Sequence, residues 1–166
     1  MITYEQYQQL CDVLYREAEL LDRREFRAWL ELLDPELRYV MPVRVTPGSS
    51  DASSFSPAGR FFDETRSSLE MRVARLETGF AFAEEPPART RRLVGNIRAE
   101  RQEGAHYRVG SNLLLWVAYG DAAEALVLAA HREDEWVAEG EAWRLRRRAI
   151  YPDWTTLPLR NLTLFF

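Results

Sequence analysis

Downstream of Pro86-Pro87 the sequence changes character, and this change restricts the fold more than any other feature. From Arg89 to Arg101, His106 to Ala118, Glu124 to Val137 and Ala142 to Tyr151, apolar and polar residues alternate with period two. Alternation at that period sends successive side chains to opposite faces of a strand, so each segment has one face suited to a core and one suited to water. The intervening pairs Glu103-Gly104, Gly120-Asp121 and Glu139-Gly140 are residues that reverse a chain tightly. Long strands joined by short reversals make an antiparallel meander. A chain of 166 residues with 46% apolar content can bury one core, and a single domain over residues 1–166 is expected.

The residues before this point read as helices. Thr3 and Gln6 have capping-box spacing, and Tyr7, Leu10, Cys11, Leu14, Ala18 and Leu21 recur at helical intervals, which predicts a first helix from Tyr4 to Leu21. Asp22, with Glu25 three residues on, predicts a second, with Phe26, Trp29, Leu30 and Leu33 as its buried stripe and Asp34-Pro35 as its stop. Leu37 to Val45 reads as a strand whose Pro42 calls for an edge or a bulge. Thr46 to Gly59, rich in Ser, Pro and Gly, reads as a long exposed loop, and Asp63 as the N-cap of a third helix carrying Leu69, Val73, Leu76 and Phe80 and ending near Gly79. A last short strand is expected in Leu162 to Phe166. Helices first and strands later give an α+β fold, with a strongly curved, mostly antiparallel sheet wrapped around the N-terminal helices as a cone.

Residue inventory then excludes chemistry. All 22 basic residues are arginine, so there is no lysine to form a Schiff base or serve as a general base of lowered pKa. A Rieske cluster needs two Cys and two His, and the chain has only Cys11 alongside His106 and His131. A mononuclear iron triad would consume both histidines, and nothing in their spacing favours it. There is no Gly-x-Ser-x-Gly elbow and no Gly-rich phosphate loop, and Cys11 falls on an apolar helical stripe. Net charge of −4 argues against a nucleic-acid-binding surface. No apolar run approaches the ~20 residues of a membrane span. Met1 to Glu5 lacks the features of a secretory signal, and the expected compartment is the cytoplasm.

What remains for catalysis is acid–base chemistry inside the cone, for which Tyr15 and Glu19, one helical turn apart, and His131 beside Asp134 are the candidates. Against that stands the ordinary reading: Tyr15 in the core, and Glu19 and Asp134 paired with arginines. Arg132-Glu133-Asp134 and the run Arg144, Arg146, Arg147, Arg148 fall on successive strands, where a solvated charge ladder is the usual outcome and a surface for a partner subunit the alternative. Alternation places Arg147 on the face of Trp143, Leu145, Ala149 and Tyr151, and an arginine drawn into such a face needs an acid. The tail from Asp153 to Phe166 is too apolar to be left uncovered, so it either returns to its own sheet or packs on a neighbouring chain.

Taken together, Leu14 to Asp22, Tyr39 to Arg44, Phe62-Asp63-Glu64 with Arg72-Val73, Pro86 to Val94 with Asn96, Ser111-Asn112, Arg132-Glu133-Asp134 and the ending Asn161-Leu162 resemble the beta subunits of aromatic-ring-hydroxylating dioxygenases over essentially the whole chain. His131 departs from that pattern, standing where arginine is common. The resemblance implies a nuclear-transport-factor-2-like fold and a non-catalytic structural subunit in aromatic compound degradation. It also implies a large alpha-subunit partner that carries the Rieske [2Fe-2S] cluster and the mononuclear Fe(II), in an assembly of three large and three small chains, the small ones associating as a trimer. Arg91, Arg92, Arg132, Glu133, Asp134, Arg147 and Trp154 are the expected interface residues under that reading. Two other readings stay open: a stand-alone enzyme of the same fold, of cyclase, dehydratase or isomerase type, using Tyr15, Glu19 and His131, and a scaffold or ligand-binding module with no oxygenase partner.

Overall fold

The computed structural model describes residues 1–48, 53–78, 86–159 and 163–166. Helix α1 (Tyr4–Asp22) opens with the expected capping box, Thr3 Oγ1 accepting from Gln6 N while the Gln6 side chain accepts from Thr3 N. Its buried face carries Leu10, Cys11, Val13, Leu14, Ala18, Leu20 and Leu21, with one charged residue, Glu17, among them. Helix α2 (Phe26–Leu30) is shorter than its sequence suggests. Asp22 does not cap it; it ends α1, and its carboxylate bonds across to Thr90 and Arg92. Leu33 also leaves the helix, because it pairs with Leu145 at the start of strand β1 (Leu33–Arg44), and Asp34-Pro35, expected as the helix stop, lie within that strand.

β1 is an inner strand, and of the two settings expected for Pro42, edge or bulge, it is the bulge that is present: the β1–β2 register shifts on both sides of Pro42. The end of the expected 46–59 loop, from Phe55 on, is instead the start of β2 (Phe55–Thr65), an edge strand antiparallel to β1. Residues 49–52 of that loop lie outside the described residues, as does Phe80 of the third helix. Asp63 sits within β2, and the N-cap of α3 (Arg66–Glu77) is Thr65, in a capping box with Ser68. The meander follows as β3 (Arg89–Arg101), β4 (His106–Ala118), β5 (Leu126–Glu139) and β6 (Ala142–Pro152). Gly104, Gly120 and Gly140 take positive φ of 63°, 49° and 65° at the reversals, a conformation that favours glycine. One six-stranded sheet results, in the order β2-β1-β6-β5-β4-β3, antiparallel except where β1 meets β6.

Two irregularities in the sheet decide where side chains go. In β3, Gly95 pairs with Asn112 and Arg98 with Gly110, leaving one extra residue at Asn96, whose φ of 52° bends the strand. In β6, Arg147 pairs with Glu135 but Leu145 with Trp136, so Arg146 is extra and the alternation inverts there. Upstream of the bulge Trp143 and Leu145 face the core; downstream it is Arg148 and Ile150 that do, both fully buried. The expected placement of Arg147 on the core face is thereby corrected: it is exposed, and Arg148 is the arginine drawn inside.

The core lies between the helices and the concave face of the sheet. It is closed by residues 164–166, which form no strand and instead enter the core, with Phe165 stacked on Trp29 at a centroid distance of 4.6 Å and edge-on to Phe26 at 5.6 Å. The tail thus packs on its own chain. No helix among the described residues is long and apolar enough to cross a membrane.

Candidate functional site

The most polar part of the interior is built around Arg148. Its guanidinium is flanked by two carboxylates: Nε and Nη2 donate to Asp134 Oδ1 and Oδ2 at 2.8 and 2.7 Å, and Nη1 and Nη2 donate to Glu17 Oε1 and Oε2, both at 2.8 Å. The side chains of all three residues are at most 1% exposed. Trp29 Nε1 and Trp136 Nε1 donate to the same two carboxylates, at 3.1 and 3.3 Å, so each acid is fixed from two sides. Burial alone would depress the Arg148 pKa, but Asp134 and Glu17 outweigh it and hold the group well above the usual arginine value. Arg132, beside it, is less completely held. Its Nε donates to Ser111 Oγ at 3.2 Å, its Nη1 lies 3.7 Å from Glu17, and its Nη2 has no hydrogen-bond partner among the described residues. Burial, reinforced by repulsion from Arg148, pulls the Arg132 pKa down to about 10.

The tail is tied into the same region. Arg92, paired with Asp22 at 2.5 Å, donates through Nη2 to the Phe165 carbonyl at 2.6 Å, and Arg148 Nη1 donates to the Phe166 carbonyl at 3.0 Å. Tyr39 Oη donates to the Phe166 carbonyl at 2.8 Å and accepts from Phe166 N at 2.7 Å. Complete burial pushes the Tyr39 phenol from 10.0 up to about 12. The unfolded chain therefore releases this proton first: the stabilisation is fully present below about pH 10 and is lost as pH rises towards 12. Absorbance titration of the wild type minus Tyr39→Phe should show one phenol ionising near pH 12; a step near 10 would place that ring in contact with water. Asp22→Asn, which leaves Arg92 buried without its counter-charge, should lower stability by about 2 kcal/mol in urea unfolding.

The convex face of the sheet is different. Leu93, Leu114, Trp116 and Val127 stand on it with 64%, 46%, 41% and 59% of their surface exposed. The register brings them together, Leu93 opposite Leu114 on β3 and β4, and Trp116 opposite Val127 on β4 and β5. Further along the same face the residues become charged: Arg108 with Glu133 at 3.6 Å, His106 with Glu135 at 2.6 Å, and Arg147 opposite Glu135. With Tyr151 and Ala149 these line a depression of about 750 Å³. Such a contiguous apolar patch with a charged margin is the composition of a protein-binding surface.

The sequence-derived candidates divide between these two regions. Arg91 is exposed opposite Trp116, and Glu133 and Arg147 stand on the charged margin. Arg92, Arg132 and Asp134 are buried, so the solvated-ladder expectation is corrected for Arg132 and Asp134, and the charged heads of all three lie inside this chain. Trp154 packs partly buried against the core. Tyr15 is 51% exposed on the outer side of α1 and not in the core, and Glu19 pairs with Arg23 at 2.7 Å, both beside a surface groove. His131 stacks on Tyr151 and bonds Asn112 on the convex face. Tyr15 and Glu19 thus lie on one surface and His131 on another, and the structure does not bring the three together. Sequence reading missed Glu17 and Arg148, the centre of the buried network. The helical stripe of α1 does pass through Glu17, three residues after Leu14 and one before Ala18, and that was the available signal.

The donor set does not fit either iron group. Along the β4–β5 ladder Asn112 is opposite His131, so His106 is six residues from it, roughly 20 Å along the strand, too far for a shared metal. Cys11, the single cysteine, is buried in α1. Among the described residues no group of three His, Cys, Asp or Glu side chains could hold a metal ion.

Comparison with known proteins gives one family and one fold. The family model described as the ring hydroxylating beta subunit matches residues 16–158. A solved naphthalene 1,2-dioxygenase with indole bound in its active site is similar at a TM-score of 0.88 and 24% identity, over 100% of this chain and 88% of that one. The beta subunit of benzoate 1,2-dioxygenase from Burkholderia mallei is similar at 0.70 and 23%, over 92% of each chain. ActVI-ORFA from Streptomyces coelicolor shares the fold at 0.64 and 14%, over 91% of this chain and 97% of that one. The architecture is the nuclear-transport-factor-2-like α+β fold.

Proposed function

This chain belongs to the ring hydroxylating beta subunit family, and from that premise we propose that it is the non-catalytic, structural subunit of a multicomponent aromatic-ring-hydroxylating dioxygenase, acting in aromatic compound degradation. The observation that carries the reading is the family match over residues 16–158. Its interior supports the same view: the space that a stand-alone enzyme of this fold would need for a substrate holds Phe165, Phe166 and the Arg148 network. The partner is a large alpha subunit, which carries the Rieske [2Fe-2S] cluster and the mononuclear Fe(II), and the compartment is the cytoplasm.

Three large and three small chains make up the assembly in this proposal, with the small chains meeting around a three-fold axis. The surface assigned to that contact is the convex face around Leu93, Leu114, Trp116 and Val127, with Arg91, Glu133 and Arg147 at its margin. Because the tail is folded into its own core, the sheet face is left as the apolar contact. Gel filtration with light scattering tests this: the purified chain should self-associate as a trimer and join its large subunit on mixing. A chain that stays monomeric beside the large subunit would overturn the proposal.

A further inference from the structure

Residues 164–166 are held in the way a bound peptide is held. They form no strand and no helix, yet all three are buried, at 6%, 2% and 1% exposure. What surrounds them has the two parts of a recognition site. One is an aromatic wall: Trp29 and Phe26 against Phe165, and Phe62 against Phe166 at 6.2 Å. The other is a set of donors from three different elements aimed at backbone carbonyls: Arg92 on β3 at Phe165, and Tyr39 on β1 with Arg148 on β6 at Phe166. The Tyr39 hydroxyl also accepts from Phe166 N, so it reads both the donor and the acceptor of one residue. Three of these receptor groups also have partners outside the tail. Arg92 is fixed by Asp22, Arg148 by Glu17 and Asp134, and Trp29 by Glu17.

We propose that the interior of the cone is a preformed binding site for an extended aliphatic-aromatic-aromatic peptide, occupied in cis by Leu164-Phe165-Phe166, and that it accepts the same segment in trans. Tethering makes the occupied state dominant, since a linked ligand is present at an effective concentration of about millimolar or more. The two phenylalanines supply most of the affinity and the carbonyl donors fix the register.

Cutting the intact chain tests this. Thr155 and Thr156 are both exposed, so a specific protease site inserted between them can be cleaved after folding. The nicked chain is separated from its 156–166 segment in denaturant and refolded with or without a labelled synthetic peptide of that sequence. The expected result is stoichiometric uptake of the peptide and recovery of a cooperative thermal transition. A peptide carrying F165A and F166A should bind at least about 30-fold more weakly, and a Tyr39→Phe receptor should weaken binding of the natural peptide by about tenfold. Refolding that the peptide cannot restore, a refolded chain that takes up no peptide, or equal uptake of the alanine peptide would each overturn the proposal, because the segment would then be ordinary core and not a separable ligand.

Discussion

Arg148→Met will lower folding stability by about 3–5 kcal/mol, the range expected when one partner of a buried ion network is removed. The cause is what stays behind. Glu17 and Asp134 are 1% and 3% exposed, and both lose a bidentate partner without gaining water; the Phe166 carbonyl loses a donor as well. Neither tryptophan N–H can compensate a whole charge. Arg132→Met provides the internal contrast: among the described residues Arg132 has one weaker ion contact and an Nη2 without a partner, and burial already disfavours its charge, so its loss should be much smaller. Changing Glu17 and Arg148 together to apolar residues should recover part of the loss, giving a coupling energy of about 2 kcal/mol in a double-mutant cycle. Urea unfolding followed by tryptophan fluorescence measures the wild type, the two arginine variants, the Glu17 single variant and the double variant. Equal, small losses for Arg148→Met and Arg132→Met would mean that the network is hydrated and contributes little.

The second large effect should appear in assembly and not in folding. Leu114→Glu combined with Trp116→Glu puts two charges in the middle of the exposed apolar patch on the convex face. Neither side chain belongs to the core, whose strand β4 members are Tyr107, Val109, Leu113, Leu115 and Val117. The melting temperature should therefore stay close to that of the wild type, while self-association and capture by the large subunit weaken by at least about 30-fold, as for removal of a central interface anchor. Light scattering at several concentrations reads the first and co-purification the second. Full assembly of this variant would move the contact to another face.

The contrast between these two sites shows what the sequence could reveal. The meander was legible because the period-two pattern runs through β4, most of β5 and both sides of the Asn96 bulge in β3, and because a glycine marks each reversal. The start of α1 was legible from a capping box. Arg148 was not, since the alternation of β6 predicts inward residues only if the register is continuous, and the extra residue at Arg146 inverts it. Nothing local announces that bulge; it exists because β5 and β1 both constrain β6. Glu17 was hidden by a general preference, since carboxylates seldom lie in cores, although its position on the α1 stripe was visible. Asp22 misled for a related reason: its type and spacing suit an N-cap, and a tertiary partner, Arg92, took it instead.

Strand β1 was legible from Leu37 onward, whereas β2 was obscured by the serine, proline and glycine at its start, whose local preferences oppose strand formation but which bulges accommodate. The apolar tail was correctly seen to need cover. Its destination depended on a space that only the folded sheet and helices define. Residue types gave the limits on chemistry directly, because one cysteine, two histidines and no lysine are facts of the chain whatever its shape.

The central claim is that this chain supports iron chemistry housed on another subunit, and native mass spectrometry of the pair co-expressed with its large subunit tests it most directly. A complex of three large and three small chains is expected, with all iron leaving with the large chains when the complex is dissociated in the gas phase and the small chains emerging iron-free. Small chains that carry iron of their own, or that appear only as free monomers beside an assembled large subunit, would contradict it.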